Sequence, residues 1–591
     1  MTTSTIASQS ASPVPPAIRR PAGSRWSWSF LIDISVFLFV FAGVYGVYAI
    51  GHTWLGPVPA QADISQSPRV LPLYALYSVV RIGVAYALSL AFALAYGYLA
   101  ARSKRAEIVL VPLLDILQSI PVLSFLPGVM LAMVALFPHS QLGIELGSII
   151  LIFTGQVWNI AFSFYSSLKT IPRDLREAAI IYRFSPWQRF LELDLPFSTI
   201  GLVWNSMMSV AGGWFFLMAC EMFVLGDKDF RLPGLGSFLQ TAASGGNTRA
   251  MLWGLATMVA VIVLMDVLIW RPVIAWADKF KFEQVENSST AQNSLLSFIR
   301  RESFLIRGYR RILHPIVGWL TLTFTRGASR AAQTFSAANS HRSRRWLGWL
   351  FAVIAVLFVC YGVYRTVGEL SHLHRSDYLL LLRSAALTFL RVNLALLIGA
   401  FWTIPVGVAI GFNPRFARIA QPLVQLAASI PATALFPVIL LFLIHLRGGV
   451  EIAAMALMLL GTQWYILFNV IAGAMAIPTD LKEVSHVFRF GSFDRWRYLI
   501  LPGIFPYLVT GMVTASGGAW NASIVAEYFH FQGKIVQAPG LGSTISRASD
   551  AGHFDLLLAS TLIMAAVVVL INRLVWRRLY RLASTRFKLE S

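Results

Sequence analysis

The segment Ile171–Phe184 reads IPRDLREAAIIYRF, and Ile477–Phe490 reads IPTDLKEVSHVFRF 306 residues further along the chain. Each copy places an acidic residue soon after a proline, with a glutamate three residues later, which is the spacing of a helix capping box. The acidic pairs are Asp174 with Glu177 and Asp480 with Glu483. The spacing predicts that a short helix begins at each place.

Each predicted helix has one apolar side, because its apolar residues recur at i, i+3, i+4 and i+7. In the first copy these residues are Leu175, Ala178, Ala179 and Tyr182, and in the second they are Leu481, Val484, Ser485 and Phe488. Such a side must be covered by the lipid surface, by the chain's own helices or by a partner protein. Two copies at matched positions favour a partner.

The repeat extends far beyond this segment. Trp158 matches Trp464, and Leu195-Pro196 matches Leu501-Pro502, at the same offset of 306 residues. Further matches join Trp214 to Trp520, Glu221 to Glu527, and Pro233-Gly234-Leu235-Gly236 to Pro539-Gly540-Leu541-Gly542. Nearer the start of each half the offset is 310, as in Ser119-Ile120-Pro121 and Ser429-Ile430-Pro431. The chain therefore consists of two related halves.

The composition is that of a polytopic membrane protein. Of 591 residues, 57% are hydrophobic and 13% charged, and the mean hydropathy is +0.66, which excludes an ordinary soluble enzyme. The apolar residues fall into runs of about twenty, the length that a helix needs to cross a bilayer. Cys220 and Cys360 both lie in apolar runs, so neither a disulfide framework nor a cysteine metal site is expected.

We expect an all-α fold of about twelve transmembrane helices in two parallel six-helix repeats. The predicted spans are roughly 30–50, 74–100, 108–137, 147–168, 196–224, 251–275, 347–367, 378–411, 417–446, 449–471, 500–526 and 555–576. Six spans per half is an even number, so both halves have the same orientation and a pathway is expected between them. The prolines at Pro121 and Pro431 fall inside spans, where they either break or merely kink the helix.

The net charge of +21 is explained by basic loops retained in the cytoplasm, because Lys and Arg collect in every second loop. Both termini are therefore expected in the cytoplasm. The predicted domains are a disordered basic tail 1–29, a first membrane domain 30–275, a basic cytoplasmic linker 276–346, a second membrane domain 347–580 and a tail 581–591. A short apolar stretch at 312–324 in the linker is expected to lie along the membrane interface.

Polar and aromatic side chains inside the spans are candidates for lining the pathway. They are Gln118, Ser119, Gln156, Trp158, Asn159, Trp214, Glu221, Gln463, Trp464, Trp520, Asn521 and Glu527. Glu221 and Glu527 either gate or line the pathway or bind the turn that follows them, since an ionisable group in a span is costly unless it has a purpose. Both interpretations are open at this point.

No Gly-x-x-x-x-Gly-Lys-Ser/Thr loop for ATP occurs in the chain, and no His-Glu-x-x-His or other metal-ligand motif. We expect no catalytic residues, no metal site and no cofactor in this chain. If transport is driven by ATP, the ATPase must be another polypeptide.

The ordered set of motifs resembles the permease subunits of ATP-binding-cassette importers. Glu177-Ala178-Ala179, followed by Leu193-Asp194-Leu195-Pro196, is similar to the Glu-Ala-Ala loop of that family. Further similarity lies in Ser119-Ile120-Pro121, in Gly213-Trp214 leading to Ala219-Cys220-Glu221-Met222, and in Leu232-Pro233-Gly234-Leu235-Gly236. These narrow the resemblance to the nitrate/sulfonate/bicarbonate (taurine-type) importers, over roughly 70–280 and 375–590.

The resemblance implies a type I importer permease with two permease domains fused in one chain, in a bacterial inner membrane. It implies that the two loop helices are coupling helices for two copies of an ATPase subunit that holds ATP and Mg, and that a periplasmic or extracellular substrate-binding protein delivers a small anion. The residues that it assigns to coupling are Asp174, Leu175, Glu177, Ala178, Ala179, Tyr182, Arg183, Asp480, Leu481, Glu483, Val484, Phe488 and Arg489. Arg183 and Arg489 stand where the family pattern has glycine, and the second copy reads Glu483-Val484-Ser485.

Two other classes fit parts of the sequence. A secondary carrier driven by an ion gradient also has two six-helix halves joined by a basic linker. Against it, the loop between the second and third spans offers only Arg102, Lys104, Arg105 and Glu107, without the usual cluster of acidic and basic residues. A membrane scaffold without transport activity would need neither an ATPase nor a substrate.

Overall fold

A computed structural model gives the fold of the chain. It describes residues 64–138, 140–225, 228–277, 280, 353, 357, 360–364, 366–371 and 373–586. All of these residues belong to one compact unit. The predicted first span at 30–50, the tails at 1–29 and 587–591, and most of the linker lie outside the described residues.

The first half is a succession of helices interrupted by one small hairpin. Its helices are α1 (Leu71–Arg102), α2 (Lys104–Ser119), α3 (Leu126–Leu136), α4 (Leu142–Thr170), α5 (Arg173–Ile181), α6 (Pro186–Arg189), α7 (Leu195–Glu221), α8 (Leu235–Ser244), α9 (Thr248–Met265) and α10 (Arg271–Ala277). A five-residue π turn joins α6 to α7, and another joins α9 to α10, so each pair is one continuous helix with a local bulge.

The second half repeats this order element by element in the described part of the chain. Its helices are α11 (Arg375–Phe412), α12 (Pro414–Ser429), α13 (Ala432–Leu443), α14 (Gly449–Ala476), α15 (Thr479–Val487), α16 (Ser492–Arg495), α17 (Leu501–Ala526), α18 (Leu541–Asp550), α19 (Phe554–Ile571) and α20 (Arg577–Arg586). Even the π turns recur, at 496–500 and 572–576. The internal repeat found in the sequence is thus a structural repeat.

Two antiparallel hairpins follow α7 and α17, and the sequence did not predict them. The first hairpin pairs β1 (Val224–Leu225) with β2 (Lys228–Asp229). The second pairs β3 (Tyr528–Phe531) with β4 (Lys534–Gln537), in the register Tyr528 with Gln537 and Phe531 with Lys534. Gln532 and Gly533 both have positive φ, which is the backbone of a tight two-residue hairpin turn.

In each half the central helix packs between two long neighbours, α4 between α1 and α7, and α14 between α11 and α17. Small residues permit the close approach. Gly97 lies against the backbone of Ala161, and Gly407 and Gly411 lie against the helix turn of Val470 and Ala474. This is the use of small residues expected for helix contacts in a membrane, where backbones must come close for dispersion contacts to accumulate.

The spans predicted at 108–137 and 417–446 are both broken, which decides between the break and the kink that the sequence left open. Each region is two helices, separated at Ile120-Pro121 and at Ile430-Pro431, and α12 and α13 meet at an angle of 81°. Proline removes a backbone donor and clashes with the preceding turn, so the break falls where the sequence places the proline. Eight described helices are long and apolar enough to cross a membrane, or nine if the bent pair counts as one span, so the total of twelve is not confirmed.

The helix ends define two faces of the bundle. We call the face that carries α5 and α15 the basic face, and the opposite face, which carries the hairpins, the hairpin face. The halves contact each other near both breaks: the segment at 122–125 packs on α17 and α19, and α13 packs on α7 and α8. The broken helices therefore lie at the boundary between the halves, where a pathway would run.

Candidate functional site

Helices α5 and α15 form where the repeated segments predict them. The capping box predicted at Asp174 is wrong, however, because α5 begins at Arg173 after Pro172 and no side chain accepts a hydrogen bond from its first turn. Pro172 takes the N-cap position with an extended backbone, φ −54° and ψ 146°, so the helix starts one residue before the acid. Asp174 therefore lies inside the first turn, where its charge favours the positive end of the helix dipole.

The apolar side of each helix is divided between two environments. Ala179 is buried against the chain's own helices and Leu175 is half-buried beside α4, whereas the side chain of Tyr182 is 75% exposed. In the second half Ser485 is buried and Phe488 is 70% exposed. The beginning of α5 thus lies against its own bundle and its end projects outward, whereas in α15 Leu481 and Val484 are also 40% and 46% exposed.

The projecting ends form two apolar patches. The first patch consists of Ile180, Ile181, Tyr182 and Phe184, and the second consists of Val487, Phe488 and Phe490. We call them the first and second end patches. Glu177, Glu483 and Arg489, assigned to coupling by the resemblance, are also exposed beside them. Exposed aromatic and aliphatic side chains clustered in this way are typical of a surface that a partner covers.

Both helices end with the same capping motif. The backbone N–H of Phe184 donates to the carbonyl of Ala179, and that of Phe490 donates to the carbonyl of Ser485. This six-to-one bond closes a Schellman motif, which requires a left-handed residue just before it. Arg183 and Arg489 occupy that position with φ of 52° and 50°. The motif explains the glycine in the family pattern and makes both arginines conformationally strained.

In the first half, a buried cluster of three charged side chains lies near the hairpin face. The guanidinium of Arg81 donates to both carboxylate oxygens of Glu145, at 2.6 and 2.7 Å, and to Glu221 at 2.8 Å. Glu221 also accepts from Ser78 at 2.7 Å and from the backbone N–H of Gly236 at 2.7 Å. All three charged side chains are at most 3% exposed. Buried charges persist only when they are paired and hydrogen-bonded in this way.

The second half builds the corresponding cluster. Arg391 donates to Glu527, which also accepts from Thr388 at 2.8 Å and from the backbone N–H of Gly542 at 2.8 Å. The position of Glu145 is taken by Glu451, which is exposed. Arg391 therefore faces one buried carboxylate, whereas its counterpart in the first half faces two.

These clusters favour the interpretation that Glu221 and Glu527 bind the turn that follows them, rather than lining or gating the pathway. Each carboxylate binds the glycine turn that follows the hairpin, and neither lines the cavities described below. A Cβ at Gly234 or Gly540 would overlap the carboxylate, which explains glycine at both places. Sequence reasoning missed Arg81 and Arg391, although both are charged residues in apolar runs 310 residues apart, and that was the available signal.

A narrow cavity of about 110 Å³ lies between the halves, beside the break in the second half. Of the predicted pathway residues, Trp464 and Asn521 line it, together with Phe215, Phe216 and Tyr465. Asn521 also reaches the other half, since its side-chain oxygen accepts from the backbone N–H of Leu123 at 3.4 Å. The structure thus brings only part of the predicted set together.

The other predicted pathway residues lie elsewhere. Trp214 and Trp520 are buried, Gln463 is buried and accepts from the indole of Trp402 at 3.2 Å, and Gln118 is exposed. Gln156 is fully buried, and neither its oxygen nor its nitrogen has a hydrogen-bond partner among the described residues. Trp158 and Asn159 are half-buried on α4, and Ser119 ends α2. Most of this set therefore belongs to helix packing.

A larger cavity of about 400 Å³ opens between the halves near the hairpin face. Its wall includes Asp550, whose carboxylate accepts from the hydroxyl of Tyr528 at 2.7 Å and lies 3.8 Å from His530. Burial raises the pKa of Asp550 above its ordinary value, and the Tyr528 hydrogen bond and the His530 charge oppose that rise. Hairpin β3–β4 covers one side and reaches the first half, where the N–H of Gln532 donates to the carbonyl of Ala243 at 3.0 Å.

Comparison with known proteins gives a consistent result. The family model of the binding-protein-dependent transport system inner membrane component matches the chain twice, at residues 93–270 and 403–588. The two matches cover more than half of the chain and coincide with the two structural repeats.

Individual relatives are distant. The nitrate import permease protein of Leptolyngbya laminosa is 26% identical over 185 residues, which is 31% of this chain and 63% of that protein. The taurine transport system permease protein of Escherichia coli is 25% identical over 189 residues, 32% of this chain and 64% of that protein. The bicarbonate transport system permease protein of Synechococcus elongatus is 29% identical over 185 residues, 31% of this chain and 63% of that protein. The matched region thus spans less than two thirds of the length of these relatives.

Proposed function

The chain belongs to the family of binding-protein-dependent transport system inner membrane components, and from this premise we propose that it is the membrane subunit of an ATP-driven importer. In this proposal one chain supplies the whole pathway and both coupling helices, α5 and α15. Two copies of a separate ATPase subunit bind the basic face, and ATP and Mg are held by that subunit. The chain itself is not an enzyme.

The observation that carries the proposal is the pair of end patches. Tyr182 and Phe488 are 75% and 70% exposed at the same position of two repeated helices. Leaving such a side chain in water costs about 1.5–3 kcal/mol relative to burial, so a surface that presents one of them in each of two patches gains from a partner. Two equivalent patches on one chain suit two identical subunits.

The proposal includes a direction and a mechanism. The basic face lies in the cytoplasm with both termini, and a substrate-binding protein docks on the hairpin face. When ATP closes the ATPase pair, α5 and α15 move toward each other and rock the halves, because Leu175 packs α5 on the apolar cluster that includes α4, and α4 packs on α7. The domain limits 30–275 and 347–580 and the bacterial inner membrane are parts of the same proposal.

Affinity purification tests it. The tagged chain is extracted from its native membrane into nanodiscs, and the ATPase subunits that accompany it are identified and counted by mass spectrometry. We expect two per chain in the wild type. The double variant Tyr182→Ser, Phe488→Ser removes an aromatic ring from each end patch and is expected to weaken retention about tenfold or more per site.

A matched control is Tyr580→Ser, because Tyr580 is 53% exposed on α20 and lies outside both patches. It is expected to retain the ATPase like the wild type. A wild-type chain that purifies alone and transports in proteoliposomes under an ion gradient would overturn the proposal in favour of a secondary carrier.

We propose that the substrate is a small anion of the nitrate, sulfonate or bicarbonate type, on the ground that the relatives are named for nitrate, taurine and bicarbonate. Uptake of each labelled compound is compared in cells that lack the chain and in the same cells complemented with it. Restored uptake of one compound identifies the substrate. Unchanged uptake of all of them excludes this substrate class.

A further inference from the structure

On the basic face of the first half, four basic side chains converge on a small cavity. It has a volume of about 80 Å³ and is lined by Ala101, Arg102, Leu168, Lys169, Arg176, Arg189 and Asp194. One water requires about 10–15 Å³ of such space, so the cavity can hold a group of several heavy atoms. Four cations face one carboxylate there, and the wall therefore carries an excess of positive charge.

The single carboxylate is already engaged. Asp194 is 1% exposed and accepts from Arg102, and its other oxygen lies 3.9 Å from Nε of Arg189. Lys169 lies at the cavity's edge and also forms an ion pair with Glu107, whose carboxylate lies 2.7 Å from the Lys169 ammonium. Asp194 cannot neutralise both Arg189 and Arg102, which leaves positive charge without compensation inside the cavity.

Two buried donors at the cavity also lack a partner. Nε of Arg176 and Nε of Arg189 are inaccessible to solvent and donate no hydrogen bond within the described residues. The other end of Arg176 is fixed, since its Nη2 donates to the carbonyls of Leu168 and Lys169 at 2.9 and 3.0 Å. A buried N–H without an acceptor is costly, and a charged one more so.

From the cavity, the excess of cations and the two unpartnered donors, we propose that this corner is a binding site for an oxyanion with the chemistry of phosphate or sulfate. Such an anion supplies several acceptors at once and matches the planar fork of an arginine. The anion comes either free from solution or as the phosphate of an anionic lipid, since the site lies at the end of the long apolar helix α1.

The second half provides a natural contrast. By the repeat offsets, Arg102 corresponds to Phe412, Lys169 to Met475 and Asp194 to Ile500, so only two cations remain. These two, Lys482 and Arg495, lie over the ring of Phe412 at 4.6 and 5.4 Å. There the ring's π face takes the place of an anion. Nε of Arg495 also lacks a hydrogen-bond partner among the described residues, but only two cations stand there instead of four, so we assign the oxyanion site to the first half.

Because Arg176 belongs to α5, a bound anion joins α5 to α1, α4 and α6. Occupancy would hold the first coupling helix against its bundle, and only the first. This consequence rests on the proposed function, whereas anion binding itself does not.

Binding is measured on the full-length chain in phosphatidylcholine nanodiscs, by calorimetric titration with inorganic phosphate and with sulfate at constant ionic strength. We expect saturable binding of either anion by the wild type. Arg189→Gln removes a cation that has no short hydrogen bond of its own and should weaken binding about tenfold or more. The matched control Arg495→Gln should bind like the wild type.

A second experiment distinguishes free anion from lipid phosphate as the source of the ligand. Nanodiscs that contain phosphatidylglycerol are compared with pure phosphatidylcholine by native mass spectrometry. If a lipid phosphate occupies the site, the wild type retains phosphatidylglycerol, Arg189→Gln loses it, and added phosphate no longer titrates. If the ligand is free anion, phosphate titrates equally in both membranes.

If Arg189→Gln does not elute as a monodisperse protein, Lys169→Gln replaces it, because Lys169 is 37% exposed and its removal leaves the arginines in place. Absence of saturable phosphate, sulfate and phosphatidylglycerol binding by the wild type overturns the proposal. Equal weakening by Arg189→Gln and Arg495→Gln overturns it as well. None of these readouts involves an ATPase, so they stay separate from the test of the proposed function.

Discussion

Replacing Arg183 by glycine should stabilise the end of α5, although the change removes a large side chain and touches no core residue. Arg183 is exposed, and its φ of 52° lies in the left-handed region, where the Cβ of an L residue approaches the following carbonyl. Glycine has no Cβ and adopts this conformation freely. The arginine thus holds the Schellman motif of α5 under strain.

The magnitude follows from two opposing terms. The left-handed conformation costs an L residue roughly 1–2 kcal/mol, and glycine returns about 0.5–1 kcal/mol of this because its unfolded backbone is freer. The net stabilisation is about 0.5–1 kcal/mol. Since 1.4 kcal/mol is a factor of ten, local opening of the helix end should become about two- to fivefold rarer.

Hydrogen–deuterium exchange reports this opening directly. The N–H of Phe184 donates to the carbonyl of Ala179 at 2.9 Å, so it exchanges only when the motif opens. Arg183→Gly should slow exchange of this amide about two- to fivefold. Arg183→Ala keeps the Cβ and should leave it unchanged. Equal slowing in both variants, or no slowing in the glycine variant, would refute the argument from backbone strain.

Three further predictions concern the hairpin face and the short helices. Gly234→Ala places a Cβ against the buried carboxylate of Glu221 and should cost about 1–3 kcal/mol in SDS unfolding, whereas Gly128→Ala, with open space around its Cβ, should cost nothing. Arg391→Met leaves a buried glutamate without its cation and should lower stability by about 3 kcal/mol or more, visible as a lower Tm. Burial raises the pKa of Asp550, so the protonated Asp550 contributes most to stability below the ordinary aspartate pKa of about 3.9. This contribution is lost as the pH rises through the raised pKa. Asp550→Asn should abolish that loss in melting curves recorded across acidic pH.

Local sequence was sufficient for the helices and for the repeat. The apolar runs predict the long helices because a bilayer imposes one length on every span, and α7, α9, α14 and α17 lie where those runs do. The membership of the family and the all-α fold are confirmed, and so is the fusion of two repeats. A proline inside a span also marks the break correctly, although sequence alone left a kink and a break as equal alternatives.

The charged contacts could not be derived in the same way, because they join residues that are distant in the chain. Arg81 meets Glu145 and Glu221 across 64 and 140 residues, and the cavity beside Arg189 gathers residues of four helices. Neither relation has a periodicity that a pattern can reveal. The residues predicted by polarity to line the pathway therefore lie in different environments. Trp464 and Asn521 line a cavity, whereas Gln156 is buried in a helix contact.

The sequence by itself determined that this protein crosses a membrane, that it consists of two parallel copies of one unit, and that each copy presents a short helix on its basic face. These properties depend on hydropathy and spacing, which act over a few turns of helix. Only the tertiary structure decided that Glu221 binds the turn after the hairpin, that the end of α5 rather than its whole apolar side is exposed, and that four cations of the first half lie around one cavity. Those outcomes depend on which helices pack together, because burial and charge pairing are set by neighbours in space and not by neighbours in the chain.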